Sequence, residues 1–161
     1  MLKVLLRPAQ KQDYIFLKIL LYNAIFIPES IEPLPFSIID NPQISKYIKG
    51  WKRKTDIGII AETEEGAIGG IWTRFFNKSD QGYGYVSDDI PELSMSVLEE
   101  YRNIGIGSEL LISLFNELRN RKIGEVSLSV DKRNKAFNFY KRNGFIISEE
   151  HNYSVKMIKK L

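Results

Sequence analysis

The segment Arg102-Asn103-Ile104-Gly105-Ile106-Gly107 decides the interpretation of this 161-residue chain, because it joins two regions of different periodicity. Before it, residues 92–98 alternate polar and apolar side chains as a strand does. After it, apolar residues recur at helical spacing from Ile106 to Leu118. Glycines at a strand-to-helix junction let the backbone approach a ligand, and unpaired amides at a helix N-terminus attract anions. The segment therefore indicates a phosphate-binding turn or, more simply, a tight turn at a helix entry.

Two common phosphate motifs do not fit this segment. A Walker loop needs Lys followed by Ser or Thr after its last glycine, and here Ser108 and Glu109 follow Gly107. The dinucleotide fingerprint needs a third small residue, and Leu110 stands in that place. A nucleoside triphosphate or dinucleotide site of either kind is thus excluded.

A second motif follows the next predicted strand. Residues 134–145 read Asn-Lys-Ala-Phe-Asn-Phe-Tyr-Lys-Arg-Asn-Gly-Phe. Taken together, Arg102-x-x-Gly-x-Gly and Asn134-x-Ala-x-x-x-Tyr-x-x-x-Gly-Phe resemble the GNAT family of N-acetyltransferases in order and in spacing. The resemblance is firm over about residues 91–146 and looser toward the front of the chain, where a strand, helices and a hairpin are predicted in the order that this family shows.

The resemblance implies a fold, an activity and a co-substrate. The fold is α/β, a single GNAT-like domain over residues 1–161 with a mixed central β-sheet flanked by about four helices. The activity is transfer of an acetyl group from acetyl-CoA to a primary amine of a small molecule or peptide by direct attack. No metal is expected.

The resemblance also implies roles for individual residues. Tyr140 would lie near the sulfur and protonate the leaving thiolate. The candidate base, Glu92, is chosen from its position instead: it begins the strand at 92–98, Asp88 and Asp89 lie just before it, and a carboxylate there could take the ammonium proton directly or through water. Some relatives use a glutamate on the following strand, but residues 127–130 here read Ser-Leu-Ser-Val, which leaves the base open. The residues implied to bind the co-substrate are Met95, Ser96 and Val97 on the strand, Arg102, Asn103, Ile104, Gly105, Ile106, Gly107 and Ser108 at the turn and helix start, and Asn134.

Each of these residues also has a structural interpretation. Tyr140 shares a helical face with Ala136 and Phe137 and would fit a core, Asn134 is a good helix N-cap, and Glu92 could be an ordinary strand-end carboxylate. A protein of another class, a CoA-binding regulatory or structural module without turnover, therefore remains a second hypothesis.

Composition excludes several other functions. The chain has no cysteine and one histidine, so thiolate chemistry and histidine-based metal clusters are excluded. Residues 1–100 carry 11 basic and 14 acidic side chains, whereas residues 101–161 carry 12 and 6, which favours an anionic ligand in the second half. No aromatic stripe accompanies the basic residues, so nucleic-acid binding is not expected.

The remaining expectations concern location, assembly and the order of elements. The apolar stretch at residues 14–27 is too short for a membrane span, so a cytoplasmic protein is expected. The final strands could pair between subunits in a homodimer. Further predicted elements are strands at 2–6, 57–62, 67–76, 126–130, 145–148 and 153–158, helices at 14–24 (entered near Pro8) and 43–48, a loop at 77–90, and Gly124 as the stop of the helix that begins at Ile106.

Overall fold

Seven strands and four α-helices make up the chain in the computed structural model, which describes residues 1–161. The strands are β1 (Leu5–Pro8), β2 (Ile57–Thr63), β3 (Gly66–Arg74), β4 (Glu92–Val97), β5 (Glu125–Asp131), β6 (Ile146–His151) and β7 (Ser154–Lys160). The helices are α1 (Tyr14–Ala24), α2 (Pro42–Ser45), α3 (Ile106–Asn120) and α4 (Ala136–Arg142). Short 3-10 turns lie at Lys11–Asp13, Phe36–Asp40 and Glu99–Tyr101. None of the helices combines the length and apolar character that crossing a membrane requires.

The strands form one mixed sheet in the order β1-β2-β3-β4-β5-β7-β6, which confirms the predicted α/β fold with a mixed central sheet. All neighbours are antiparallel except β4 and β5, which are parallel. These two strands pair at a single position, Glu92 with Ser127. Beyond it they separate, and we call the gap between residues 94–97 of β4 and residues 129–131 of β5 the β4–β5 opening.

Each face of the sheet carries its own apolar core. On one face α3 packs through Leu110, Leu111 and Leu114 against residues of β2, β3, β5 and β7. On the other face α1 packs through Leu17 and Leu20 around Trp72. Fully burying one such side chain stabilises the fold by roughly 1.5–3 kcal/mol. The β4–β5 opening thus lies within a sheet that is covered on both faces.

A buried ion pair fixes the connection between α2 and β2. The Arg74 side chain is 1% exposed and contacts both Asp56 oxygens, with Nη2 to Oδ2 at 2.7 Å and Nε to Oδ1 at 3.1 Å. Arg74 Nη1 also donates to Lys46 O and Lys49 O. Because every charge in this pair is hydrogen-bonded, removing either partner would leave an uncompensated buried charge.

The predicted elements are mostly present, and the differences have local causes. Helix 14–24, the hairpin, the loop at 77–90 and the strands flanking α3 appear as expected. The first strand is β1 rather than 2–6, and Pro8 ends it instead of opening the helix. α2 ends at Ser45 rather than near residue 48, in a segment whose later carbonyls are bound by Arg74. Lys122, with φ of 60°, ends α3 ahead of Gly124, and Ile123 N donates back to Leu118 O.

Candidate active site

Six consecutive backbone amides, from Asn103 to Ser108, donate to no acceptor in the chain. The preceding amide, Arg102 N, donates to Glu99 O, and helical bonding begins with Glu109 N to Gly105 O. These six amides thus lie in the loop that precedes α3 and in the first turn of α3, where the helix dipole also favours negative charge. Their chemistry suits a phosphate-like anion.

The turn that carries these amides needs a special backbone conformation. Asn103 has φ of 63° and Gly105 has φ of 92°, both in the left-handed region that favours Asn and Gly. Arg102 Nε donates to Val97 O at 2.8 Å and ties the turn to the end of β4. A Cβ atom added at Gly105 would meet nothing within 4 Å, so the space beside the turn is open.

The free edge of β4 faces the β4–β5 opening. Leu98 N donates to Ile68 O on the β3 side. Because bonding alternates along an antiparallel strand, the backbone groups of Met95 and Val97 point away from β3, toward the opening. Ser96 differs from both: its backbone faces β3, and its buried hydroxyl donates to Leu20 O at 2.8 Å.

Asn134 lies at the start of α4. Its Oδ1 accepts a hydrogen bond from Ala136 N at 2.9 Å, so the oxygen has the helix-starting role that an Asn at this place favours. Its side-chain NH₂ group donates to no atom of the chain and is available to a ligand.

Tyr140, on the same helix, is 6% exposed. Its ring contacts Phe139 and Phe145 edge-on, with centroids 5.5 Å away in both cases. Burial raises the pKa of its hydroxyl, which therefore stays protonated at neutral pH. The hydroxyl hydrogen-bonds to no other group of the chain. Tyr140 therefore has a core position and a hydroxyl proton that is free to be donated.

Glu92 is buried where β4 and β5 meet, with only 4% of the residue exposed. Its Oε1 accepts a hydrogen bond from Gly84 N at 2.6 Å. Burial raises the pKa of Glu92 to about 7, against the opposing effects of Tyr47, the Gly84 amide, Lys46 and Lys156. A carboxyl group with this pKa can change protonation state near neutral pH.

Residues 81–85, which we call the covering segment, lie over Glu92 and are bound by side chains from four directions. Lys46 Nζ donates to Gln81 O, the Tyr47 hydroxyl accepts from Tyr83 N at 2.7 Å, Glu92 accepts from Gly84 N, and Lys156 Nζ donates to Tyr85 O at 2.9 Å.

Glycine is required in the covering segment by this close fit. A Cβ atom at Gly84 would lie 2.6 Å from the carbonyl carbon of Leu128, and one at Gly82 would lie 2.5 Å from Glu92 Oε1. Lys46, Tyr47 and Lys156 were not predicted from the sequence. The alternating glycines of Gly82-Tyr83-Gly84-Tyr85 are the one sequence signal that the backbone of this segment approaches other groups closely.

The acidic residues before β4 are not brought together with the Glu92 carboxylate. Asp88 and Asp89 are exposed, and Asp88 accepts a hydrogen bond from the Tyr85 hydroxyl. Next to the covering segment lies an open polar cavity of about 350 Å³ against the β6–β7 pair. Its lining residues are Gln81, Tyr85, Val86, Ser148, Glu149 and Lys156. No three acidic or histidine side chains converge as metal ligands would.

The comparison with protein families identifies the class. Residues 54–147 match the family described as "Acetyltransferase (GNAT) domain". The match covers more than half of the chain, and the protein therefore belongs to the GNAT acetyltransferase family. A comparison with curated protein sequences finds no significant match.

Solved structures share the fold over almost the whole chain. The PaiA N-acetyltransferase from Thermoplasma acidophilum, solved in complex with coenzyme A, is 20% identical, with a TM-score of 0.69 and coverage of 99% of both chains. The ribosomal-protein-alanine N-acetyltransferase from Brucella melitensis is 20% identical, with a TM-score of 0.67 and coverage of 98% and 99%. A putative acetyltransferase from Acinetobacter baylyi ADP1 is 15% identical, with a TM-score of 0.71 and coverage of 100% and 93%.

Proposed function

We propose that this protein transfers an acetyl group from acetyl-CoA to a primary amine of a small molecule or peptide, and that residues 1–161 form one such domain. The observation that carries the proposal is the row of six unpaired amides at Asn103–Ser108 beside the free backbone edge of β4. One feature suits a pyrophosphate and the other suits an amide-containing chain, and coenzyme A contains both. Membership of the GNAT family supports the same donor.

The residues present fit acetyl-CoA at this place. The amides from Asn103 to Ser108, with the Arg102 side chain beside them, bind the pyrophosphate. The backbone groups of Met95 and the amide N–H of Val97 hydrogen-bond the pantetheine arm across the β4–β5 opening, since Val97 O already accepts from Arg102 Nε. The free NH₂ of Asn134 binds the arm from α4. Ser96 contributes indirectly, because its hydroxyl fastens β4 to α1.

Once the thioester supplies the electrophile, the remaining chemistry consists of two proton transfers. Glu92 accepts the proton that the ammonium group of the acceptor must lose before nitrogen can attack the carbonyl carbon. Ser127, its partner in register, has a buried hydroxyl without a hydrogen bond and is a candidate to relay that proton. As the C–S bond breaks, Tyr140 donates its proton to the leaving thiolate. A backbone N–H of β4 stabilises the negative charge that develops on the carbonyl oxygen.

The acceptor approaches as a cation in this proposal. Residues 1–100 carry a net charge of −3, and Asp88 and Asp89 are exposed on the loop that leads to Glu92. Carboxylates there attract an ammonium group and raise its local concentration. The open cavity beside the covering segment is the space in which we expect the rest of the acceptor to bind.

A screen of amines, polyamines and peptides with acetyl-CoA tests the proposal, with release of free thiol as the readout. Primary amines should release thiol faster than neutral or anionic acceptors of similar size. A better rate with neutral or anionic acceptors would contradict the charge argument.

The second candidate function is a CoA-binding module without turnover. It is favoured by one observation, the burial of both Glu92 and Tyr140, which are only 4% and 6% exposed. The same screen separates the two, because a module binds acetyl-CoA in calorimetry and releases no thiol with any acceptor. The exposed edge strand β6 would allow either protein to form a homodimer by strand pairing.

A further inference from the structure

We propose that Tyr47 is a positioning residue for Glu92, and that its hydroxyl holds the covering segment closed over that carboxylate. The inference rests on the proposed role of Glu92 as the base. Tyr47 itself touches neither the acetyl donor nor the acceptor in this proposal, and acts through Glu92.

The geometry brings the two oxygens to one point. The Tyr47 hydroxyl accepts from Tyr83 N at 2.7 Å, while Glu92 Oε1 accepts from the next amide, Gly84 N, at 2.6 Å. A Cβ atom at Gly82 would lie 2.9 Å from the Tyr47 hydroxyl oxygen and 2.5 Å from Glu92 Oε1. Both oxygens therefore contact the same side of Gly82. The Tyr47 hydroxyl uses its acceptor site for Tyr83 and has its proton free for the carboxylate.

Tyr47 is itself held rigidly from β3. Trp72 Nε1 donates to Tyr47 O at 3.1 Å, and Arg74 Nη1 donates to Lys46 O at 2.9 Å. The Tyr47 ring packs against Phe76, with centroids 5.1 Å apart. Its hydroxyl is thus a fixed point against which the covering segment and Glu92 are placed.

The other charges near Glu92 already have partners. Lys46 is bound by Gln43, Asp80 and Gln81 O, and Lys156 contacts Glu149 at 3.1 Å as well as Tyr85 O. Arg74, opposite Glu92 in the β3–β4 register, is paired with Asp56.

Tyr47 is neutral, because burial raises the pKa of its hydroxyl. Its proton is therefore available to stabilise the ionised form of Glu92 and to oppose the effect of burial on that carboxyl.

Removing only the hydroxyl gives a measurable signature. In Tyr47→Phe the ring packing persists, and Glu92 loses a donor that favours its ionised form. We expect the pKa of Glu92 to rise from about 7 by about one pKa unit, because a hydrogen bond to a charged group contributes about that much. The amide of Tyr83 loses its acceptor and should exchange with solvent faster.

The test is a carbon-13 NMR titration of the glutamate carboxyl groups in the free protein, with the Glu92 resonance assigned from Glu92→Gln. Tyr22→Phe is the matched control, because it also deletes a tyrosine hydroxyl that hydrogen-bonds to the backbone, in this case by donating to Leu34 O, away from Glu92. A higher Glu92 pKa in Tyr47→Phe, and an unchanged pKa in Tyr22→Phe, supports the proposal. An unchanged or lower pKa in Tyr47→Phe overturns it.

This readout does not depend on turnover, so it separates the inference from the proposed function. If no amine releases thiol, the proposed function fails while the titration still decides the role of Tyr47. With an active acceptor, Tyr47→Phe should lower kcat/KM several-fold at pH 7. The value of kcat/KM should then return toward that of the wild type by pH 9, because Glu92 is ionised there in both proteins. A loss that is equal at every pH would mark a purely structural residue and overturn the positioning role.

Discussion

At the scale of single residues, burial favours the protonated form of both proposed catalytic side chains, with opposite consequences for their two roles. For Tyr140 it keeps the proton on the hydroxyl, which is the form that a general acid needs. For Glu92 it also favours the protonated form, which is the form that a general base cannot use. The hydrogen bond from Gly84 and the contact with Tyr47 limit this effect, so the pKa of about 7 is a balance. The chemistry of Glu92 is therefore sensitive to small changes around it.

We predict that kcat/KM rises with pH through an ionisation near pH 7 and that Glu92→Gln abolishes this rise. The carboxylate is the active form, and it forms as the pH passes the pKa of about 7. Initial rates of thiol release between pH 5 and 9 measure it. Asp88→Asn is the control, since that exposed side chain should mainly affect KM. A Glu92→Gln variant with the wild-type profile would place the base elsewhere.

We predict that Tyr140→Phe lowers kcat by about 10²–10⁴-fold, the usual contribution of a general acid, with little change in acetyl-CoA affinity. The substitution preserves the contacts with Phe139 and Phe145 and deletes only the hydroxyl. Steady-state kinetics and calorimetry measure the two quantities. Tyr14→Phe, on α1, serves as a control for the loss of a tyrosine hydroxyl. A decrease in kcat of less than about threefold would leave Tyr140 with its core role alone.

At the scale of elements, the turn at residues 102–107 is the part whose function can be tested without changing the fold. Gly105 is a poor position for this purpose, because its φ of 92° strains any other residue. Gly107 is better: a Cβ atom there meets Phe139 at 3.6 Å and Met95 at 3.9 Å, which are ordinary contacts. A larger side chain at Gly107 would narrow the gap between β4 and α4.

We predict that Gly107→Val weakens acetyl-CoA binding at least about tenfold, or about 1.4 kcal/mol, while the protein stays folded. Titration calorimetry gives the affinity, and circular dichroism verifies the fold. Gly124→Val is the matched control, since Gly124 lies at the other end of α3 and a Cβ atom there meets nothing within 4 Å. Equal affinity in the two folded variants would remove the α3 entry from the binding site.

Local patterns explain which elements could be predicted from the sequence. The helical spacing of α3 and the alternation of β4 are properties of neighbouring residues, so they are visible in the sequence. The end of α2 and the role of Tyr47 depend on Arg74, Trp72 and the covering segment, which are 25 or more residues away. No local pattern encodes such contacts. The candidate base was therefore found from its position on β4, but the groups that set its pKa were not.

At the scale of the whole molecule, the protonation of Glu92 is linked to folding. Its pKa is about 7 in the folded chain and near the ordinary value of 4.5 when unfolded, so the folded state binds the proton more tightly. The stability that this group contributes is complete below about pH 4.5 and is lost as the pH rises through 7. The loss is about 3 kcal/mol at most, by the conversion between pKa and free energy.

We predict that, between pH 4.5 and pH 8, the free energy of unfolding of Glu92→Gln increases relative to that of the wild type by up to about 3 kcal/mol. Glutamine does not titrate, so the difference between the two proteins isolates this one group. Urea denaturation at several pH values measures it. A difference that is constant with pH would mean that Glu92 has an ordinary pKa in the folded protein.

The single pairing of β4 with β5 has a consequence for the sequence of binding events. Four antiparallel strands lie on one side of this junction and three on the other, and between them the sheet is open. A chain-like ligand that hydrogen-bonds along β4 completes the interrupted sheet as an inserted strand would. The surface that binds the acceptor would then be complete only after this ligand has bound. We therefore expect a compulsory order of binding and release, in which the acyl donor binds first and the thiol product dissociates last.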